Sequence, residues 1–186
     1  RPENASTSVE SIRRAVGLVL SSEAAAVVTN PIQKKTLYDA GFDHPGHTEF
    51  LAELARTTKP PIMMLACDAL RVVPVTVHQS LANAIQSLSI EKIITASEQT
   101  ILSLRQDFGI DRPHLMVAGL NPHAGEDGSM GREEIDIIQP AITHLKRLGY
   151  SITGPAPADT LFHDRARESY DAAICMYHDQ ALIPLK

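Results

Sequence analysis

Short apolar runs alternate with stretches of helical periodicity along this chain, and that alternation confines it to a layered α/β fold with a largely parallel core. Residues 24–29, 62–67, 72–77, 115–118 and 172–176 read as strands. Between them lie helical stretches at 8–20, 32–39, from 46 onward, 89–108 and 133–148. In the first, Val9, Ile12, Val16 and Leu20 share one face, with Arg13 and Arg14 off it. Asn30-Pro31 can break a strand and start the helix that Gly41 ends. Thr48 is a candidate cap for the helix opened by Gly46-His-Thr-Glu-Phe50. Gly109 and Gly149 stop the two long helices, and residues 152–157 read as an extended loop. Runs 62–67 and 72–77 are joined only by Asp68-Ala-Leu-Arg71. That link is too short for a parallel crossover, so the two pair as an antiparallel hairpin and the sheet is mixed. Pro74 predicts an edge position or a bulge.

The chain has 186 residues, enough for one large domain. Its net charge is −5 and its basic residues are dispersed, which argues against nucleic acid as a partner. No apolar stretch approaches the length of a membrane span. Cys67 and Cys175 form no Cys-x-x-Cys pair and lie in or beside apolar runs, so they read as free buried thiols in a reducing cytoplasm. The ends, Arg1-Pro2-Glu3 and the uncapped apolar stretch to Lys186, read as cut from a longer protein.

Chemistry concentrates where apolar runs end. His78, His123 and His178 each follow such a run, and loops at the carboxyl ends of strands are where α/β proteins bind ligands. Three imidazoles with open positions left over could hold one catalytic metal. Their wide separation in sequence forms no local clip, and three unrelated loop histidines remain the plain alternative. His47 is a fourth candidate, whereas His114 and His144 read as structural and solvated. Gly125-x-x-Gly128-x-x-Gly131 matches neither Gly-x-Gly-x-x-Gly nor a Walker A loop, so bending around a site is its simpler role. Glu133 and Glu134 read as helix-dipole partners, Asp159 as a helix cap and Lys186 as solvated.

Taken together, Gly46-His-Thr-Glu-Phe50, Leu120-Asn-Pro-His-Ala-Gly-Glu126, Gly131-x-Glu-Glu134, Gly154-Pro-x-Pro-Ala-Asp-Thr160 and Met176-Tyr-His-Asp-Gln180, in this order, resemble the 4-hydroxythreonine-4-phosphate dehydrogenase family of pyridoxal phosphate biosynthesis. The resemblance implies an isocitrate/isopropylmalate-dehydrogenase-like fold, a mixed, largely parallel sheet with helices on both faces. It makes residues 1–186 the central part of a longer two-lobed dehydrogenase, whose N- and C-terminal segments are missing. It implies a homodimer with the active site at its interface. By motif, it places the metal ligands on His78, His123 and His178 and the substrate contacts on His47, Thr48, Asp159 and Lys186. Val75-Thr-Val-His78 departs mildly from the family's usual Thr-Thr-His, leaving the ligand in place.

The implied reaction is oxidation of 4-hydroxythreonine 4-phosphate by NAD or NADP, followed by decarboxylation to 3-amino-2-oxopropyl phosphate. One divalent cation per site, zinc, cobalt or magnesium, would assist. Neither the general base nor the cofactor-binding residues are identified. Two alternatives stand beside this: a related dehydrogenase acting on a four-carbon aldonate 4-phosphate, and a metal-binding dimer core inactive because truncated.

Overall fold

The computed structural model describes residues 5–31, 34–39, 41–44 and 46–186. The chain divides into two compact units, Arg1–Pro61 and Ile62–Lys186.

The first unit contains α1 (Ala5–Leu20), α2 (Lys34–Tyr38) and α3 (His47–Leu54). Ile12 and Val16 recur on the buried face of α1, as the periodicity predicts, and cluster with Phe50 of α3. The Arg13 guanidinium lies 5.7 Å from the centre of the Phe50 ring. The expected helix start at Ile32 lies outside the described residues. At the other end of α2, Phe42 N donates to Leu37 O at 3.0 Å, the closure expected around Gly41. Two expectations fail here. Thr48 does not cap α3, because the helix already begins at His47 behind Gly46, leaving Thr48 inside the first turn. Residues 24–29 form no strand, and Val28 is 96% exposed. A strand needs a partner for its backbone groups, and the described elements of this unit are helices.

The second unit holds β1 (Leu65–Cys67), β2 (Leu70–Pro74), β3 (His114–Ala118), β4 (Ser151–Ala156) and β5 (Ala172–Cys175). They form one sheet in the order β1-β2-β5-β3-β4. β1 and β2 are the expected antiparallel hairpin, with Leu65 opposite Val72, and the other neighbours are parallel. Pro74 lies past the last β1–β2 pair, so its missing N–H removes no ladder bond; the next residue resumes the ladder, Val75 N donating to Cys175 O at 2.8 Å.

β4 corrects the reading of residues 152–157 as a loop. It is an edge strand, the one place in a sheet where Pro155 is tolerated. The helices of this unit are α4 (Leu81–Ser87), α5 (Ile90–Gln106), α6 (Gln139–Arg147), α7 (Ala158–Leu161), α8 (Asp164–Arg167) and α9 (His178–Leu182). α4 was not anticipated, although Ser80 caps it by accepting from Asn83 N at 3.2 Å. Ser89 caps α5 in the same way through Lys92 N. Asp159 is not the cap of α7, which is preceded by Pro157; it sits in the first turn.

Both faces of the sheet are covered, so successive strand residues are apolar rather than alternating. Val73, Leu115, Val117 and Ile174 pack with Ile93, Ile101 and Leu104 of α5 and with Ile142 and Leu145 of α6. Val72, Ala118, Ala173 and Cys175 face Leu161, Tyr170 and Ala181 on the other side. Fully burying each such Leu, Ile or Val contributes about 1.5–3 kcal/mol. Cys175 is buried as expected, but Cys67, on the outer strand β1, is exposed. No helix among the described residues is long and apolar enough to cross a membrane.

Candidate active site

β2, β5 and β3 are consecutive parallel strands, so their carboxyl ends lie side by side. With strands about 4.8 Å apart, the ends of β2 and β3 are about 10 Å apart. Each end runs into a loop carrying one candidate histidine: His78 after β2, His178 after β5 and His123 after β3.

Two of the three meet. The rings of His78 and His178 have centroids 5.8 Å apart and planes inclined at 46°. Two imidazoles bound to one tetrahedral cation place their centroids about 5–6 Å apart, so the pair fits a shared metal. Both line a cleft of about 390 Å³ with Thr76, Ser80 and Tyr177. His178 Nδ1 is 2.7 Å from Asp179 Oδ1, which fixes the ring and leaves Nε2 as the nitrogen that could coordinate a metal. His78 adopts φ +52°, a left-handed conformation uncommon outside glycine.

His123 is elsewhere. It lines a separate groove with Glu126, Ile135, Pro155 and Pro157. Among the described residues, no three His, Cys, Asp or Glu side chains converge as a metal centre.

The segment bearing His123, Pro122–Gly128, is a left-handed turn. His123, Ala124, Gly125, Glu126 and Asp127 have φ of 53°, 53°, 81°, 42° and 53°. Left-handed helical backbone costs about 1–2 kcal/mol for each residue other than glycine. Four such residues therefore need outside support, and Glu134 supplies it. That side chain is 4% exposed. Its Oε1 accepts from Leu120 N and Asn121 N, both at 2.7 Å. Its Oε2 accepts from Asn121 Nδ2 at 2.9 Å, and the same amide donates to Glu133 Oε2 at 2.7 Å.

Close packing accounts for two glycines here. A Cβ on Gly125 would stand 2.5 Å from Glu134 Oε2, and one on Gly119 would stand 2.8 Å from Ala124 Cα. Gly125 makes room for a carboxylate of the protein itself and Gly119 for the turn at Ala124, and dipole pairing is not the role of Glu134. It lies in a five-residue π-helical turn, Glu134–Ile138, ahead of α6, a distortion of the kind frequent at functional sites.

Buried polar side chains tie the loops together. Thr76 Oγ1 donates to Met176 O at 2.7 Å. Met176 N donates to Gln180 Oε1 at 2.6 Å, and Gln180 Nε2 donates to Gly119 O, also at 2.6 Å. Gly119 N reaches Ala156 O at 2.8 Å. This belt crosses from β2 to β4.

Sequence reasoning missed Thr76, Asn121, Glu134, Asp179 and Gln180. All but Thr76 lie inside the recognised motifs, and nothing in a sequence marks a polar residue as buried. Of the expected substrate residues, His47 and Thr48 open α3 in the first unit, and His47 Nε2 is buried without a hydrogen-bond partner. Asp159 and Lys186 are exposed in the second unit. His114 is structural, with ring nitrogens 2.6 and 2.9 Å from the Ser151 and Thr153 hydroxyls.

Comparison with known proteins places the chain. The family model described as pyridoxal phosphate biosynthetic protein PdxA matches residues 1–186. The chain is 55% identical over 186 residues to the 4-hydroxythreonine-4-phosphate dehydrogenase of Bradyrhizobium diazoefficiens, covering 98% of this chain and 54% of that protein. It is 54% identical to that of Caulobacter vibrioides, covering 100% of this chain and 57% of that protein. It thus spans about half the length of the curated relatives it matches. The crystal structure of 4-hydroxythreonine-4-phosphate dehydrogenase from Klebsiella pneumoniae superposes with a TM-score of 0.93 at 40% identity, over 100% of this chain and 55% of that one. A terephthalate 1,2-cis-dihydrodiol dehydrogenase from Burkholderia xenovorans LB400 superposes at 0.76 with 27% identity, over 100% and 58% of the two chains. With a family match along its whole length, this chain belongs to the pyridoxal phosphate biosynthetic protein PdxA family.

Proposed function

We propose that the complete protein is a 4-hydroxythreonine-4-phosphate dehydrogenase. It oxidises the substrate hydroxyl with NAD or NADP and releases carbon dioxide to give 3-amino-2-oxopropyl phosphate. The observation that carries this reading is the His78–His178 pair, spaced for one cation at adjacent strand ends. A divalent cation there would polarise the substrate hydroxyl and then the keto group as carbon dioxide leaves. Imidazole ligands favour zinc or cobalt, and substrate oxygens could retain magnesium.

In this reading His78 and His178 come from one protomer and His123 from its partner in a homodimer. Two exposed apolar side chains support it. Leu81, 56% exposed, lines the cleft with His78, and Ile135, 42% exposed, lines the groove with His123. A two-fold axis would bury both and complete two equivalent sites. Lys186 supplies an ammonium and His47 and Thr48 supply donors for the substrate's phosphate or carboxylate, and Asp159 takes a polar substrate group.

The test is NAD⁺ reduction by the full-length enzyme with 4-hydroxythreonine 4-phosphate, before and after chelation. Turnover that chelation abolishes and added cation restores is expected. Absence of turnover with this substrate, or turnover indifferent to chelator, would refute the proposal.

A further inference from the structure

We propose that Glu134 is a positioning residue for His123: its buried carboxylate holds the left-handed turn that directs the imidazole. This rests on the histidine-site reading above and deepens it. His178 is oriented by a hydrogen bond to Asp179. Among the described residues, no hydrogen bond or ion pair holds the His123 ring, so what sets its place is the Cα–Cβ direction given by the backbone. That backbone is unfavourable at His123, Ala124, Glu126 and Asp127. Backbone bonds also close the two edges of the turn: Ala124 N to Asn121 O, Ser129 N to Glu126 O and Met130 N to Gly125 O, each at 3.1 Å.

Glu134 grips the turn on both sides of His123. Before it, Oε1 holds Leu120 N and Asn121 N. After it, Gly125 packs so closely on Oε2 that a methyl group would not fit. The imidazole lies between these anchors. A carboxylate buried here and hydrogen-bonded entirely within the protein acts through the turn.

The test uses the full-length protein with Glu134→Gln and Glu134→Asp. Glutamine keeps the length and an acceptor oxygen for Leu120 N and Asn121 N, and gives up only the acceptor for Asn121 Nδ2, which retains Glu133 Oε2; aspartate keeps the charge but not the reach. Three readouts apply: cobalt affinity, the visible absorption of bound cobalt, and hydrogen exchange at the Leu120 and Asn121 amides in metal-free protein. Glu134→Gln is expected within about three-fold of wild type in affinity, with the wild-type spectrum. Glu134→Asp is expected to weaken cobalt by about ten- to a hundred-fold, change its spectrum and speed exchange at both amides, leaving β3 and β5 protected. The opposite order, or equal binding in both variants, overturns the proposal. If wild-type protein binds no cobalt, the histidine-site reading falls. The exchange pattern then decides by itself whether Glu134 holds the turn, and unchanged exchange in Glu134→Asp refutes it.

Discussion

Gln180→Met isolates the energy of the belt from its packing. Glutamine and methionine are nearly the same length and volume, so the substitution opens little cavity. It removes both bonds of the carboxamide, to Met176 N and to Gly119 O. Gln180 is 7% exposed and Met176 is 1% exposed, so water does not readily replace them. An unpaired buried donor or acceptor costs about 1–3 kcal/mol, which gives about 2–6 kcal/mol for the pair. For a protein of 150–250 residues, 1 kcal/mol moves the melting midpoint by about 2–4 °C, so a fall of roughly 5–20 °C is expected. Thr76→Val provides the comparison. It deletes one bond, Thr76 Oγ1 to Met176 O, while nearly conserving shape. Its fall should be about half as large or less. Calorimetry or circular dichroism melts of metal-free wild type and both variants supply the measurement. A midpoint for Gln180→Met within 2 °C of wild type, or a larger loss in Thr76→Val, would mean that the amide does not carry the load its geometry implies.

Three further outcomes follow from particular residues. Mixing His78→Ala and His123→Ala homodimers should restore activity to about a quarter of wild type. Half of the dimers are then mixed, and each mixed dimer has one intact site; no restoration would mean that His78 and His123 serve a site from the same protomer. Of the two thiols, Cys67 is exposed, while burial pushes the Cys175 thiol upward in pKa, so Cys67→Ser should abolish fast native labelling by a disulfide reagent; fast labelling that survives at Cys175 contradicts the burial. Lys186→Met should lower kcat/KM by roughly ten- to a hundred-fold with unchanged metal content, the effect of losing one charge-assisted contact; unchanged kinetics would remove Lys186 from substrate binding.

The sheet was legible where local chemistry and tertiary role agree. The four-residue link at Asp68–Arg71 fixed the hairpin, and the apolar runs at residues 115–118 and 172–176 fell within one residue of β3 and β5. Reading failed where position in the sheet overrides composition. Gly154 and Pro155 look like loop residues, yet an edge strand accepts them. The run at 24–29 has strand composition but no partner. For the site, order along the chain and placement after strands identified which loops carry the histidines. That His78 and His178 meet while His123 points into another groove depends on strand order, which no motif states. Glu134 was misread for a related reason. An acidic residue ahead of a helix is usually solvated, and only the glycines packed around it show that this one is buried.

The belt and the histidines share an offset that explains why the three loops can be irregular and still exact in placement. His78 lies two residues past Thr76, His178 two past Met176 and His123 two past Asn121. Each of those three residues is tied: Thr76 to Met176, Met176 to Gln180 and Asn121 to Glu134. Two residues of chain span about 7 Å at most, so a fixed anchor confines the histidine that follows to a small volume. Left-handed φ at His78 and His123 then turns the chain sharply just after the anchor. Buried polar groups are an expensive way to hold a loop unless each finds its partner, and those of Thr76, Gln180 and Glu134 all do. A loop held by apolar contacts alone could slide by a rotamer. One held by directional bonds at a two-residue lever cannot do so without breaking them, which is the stiffness the proposed histidine site would need.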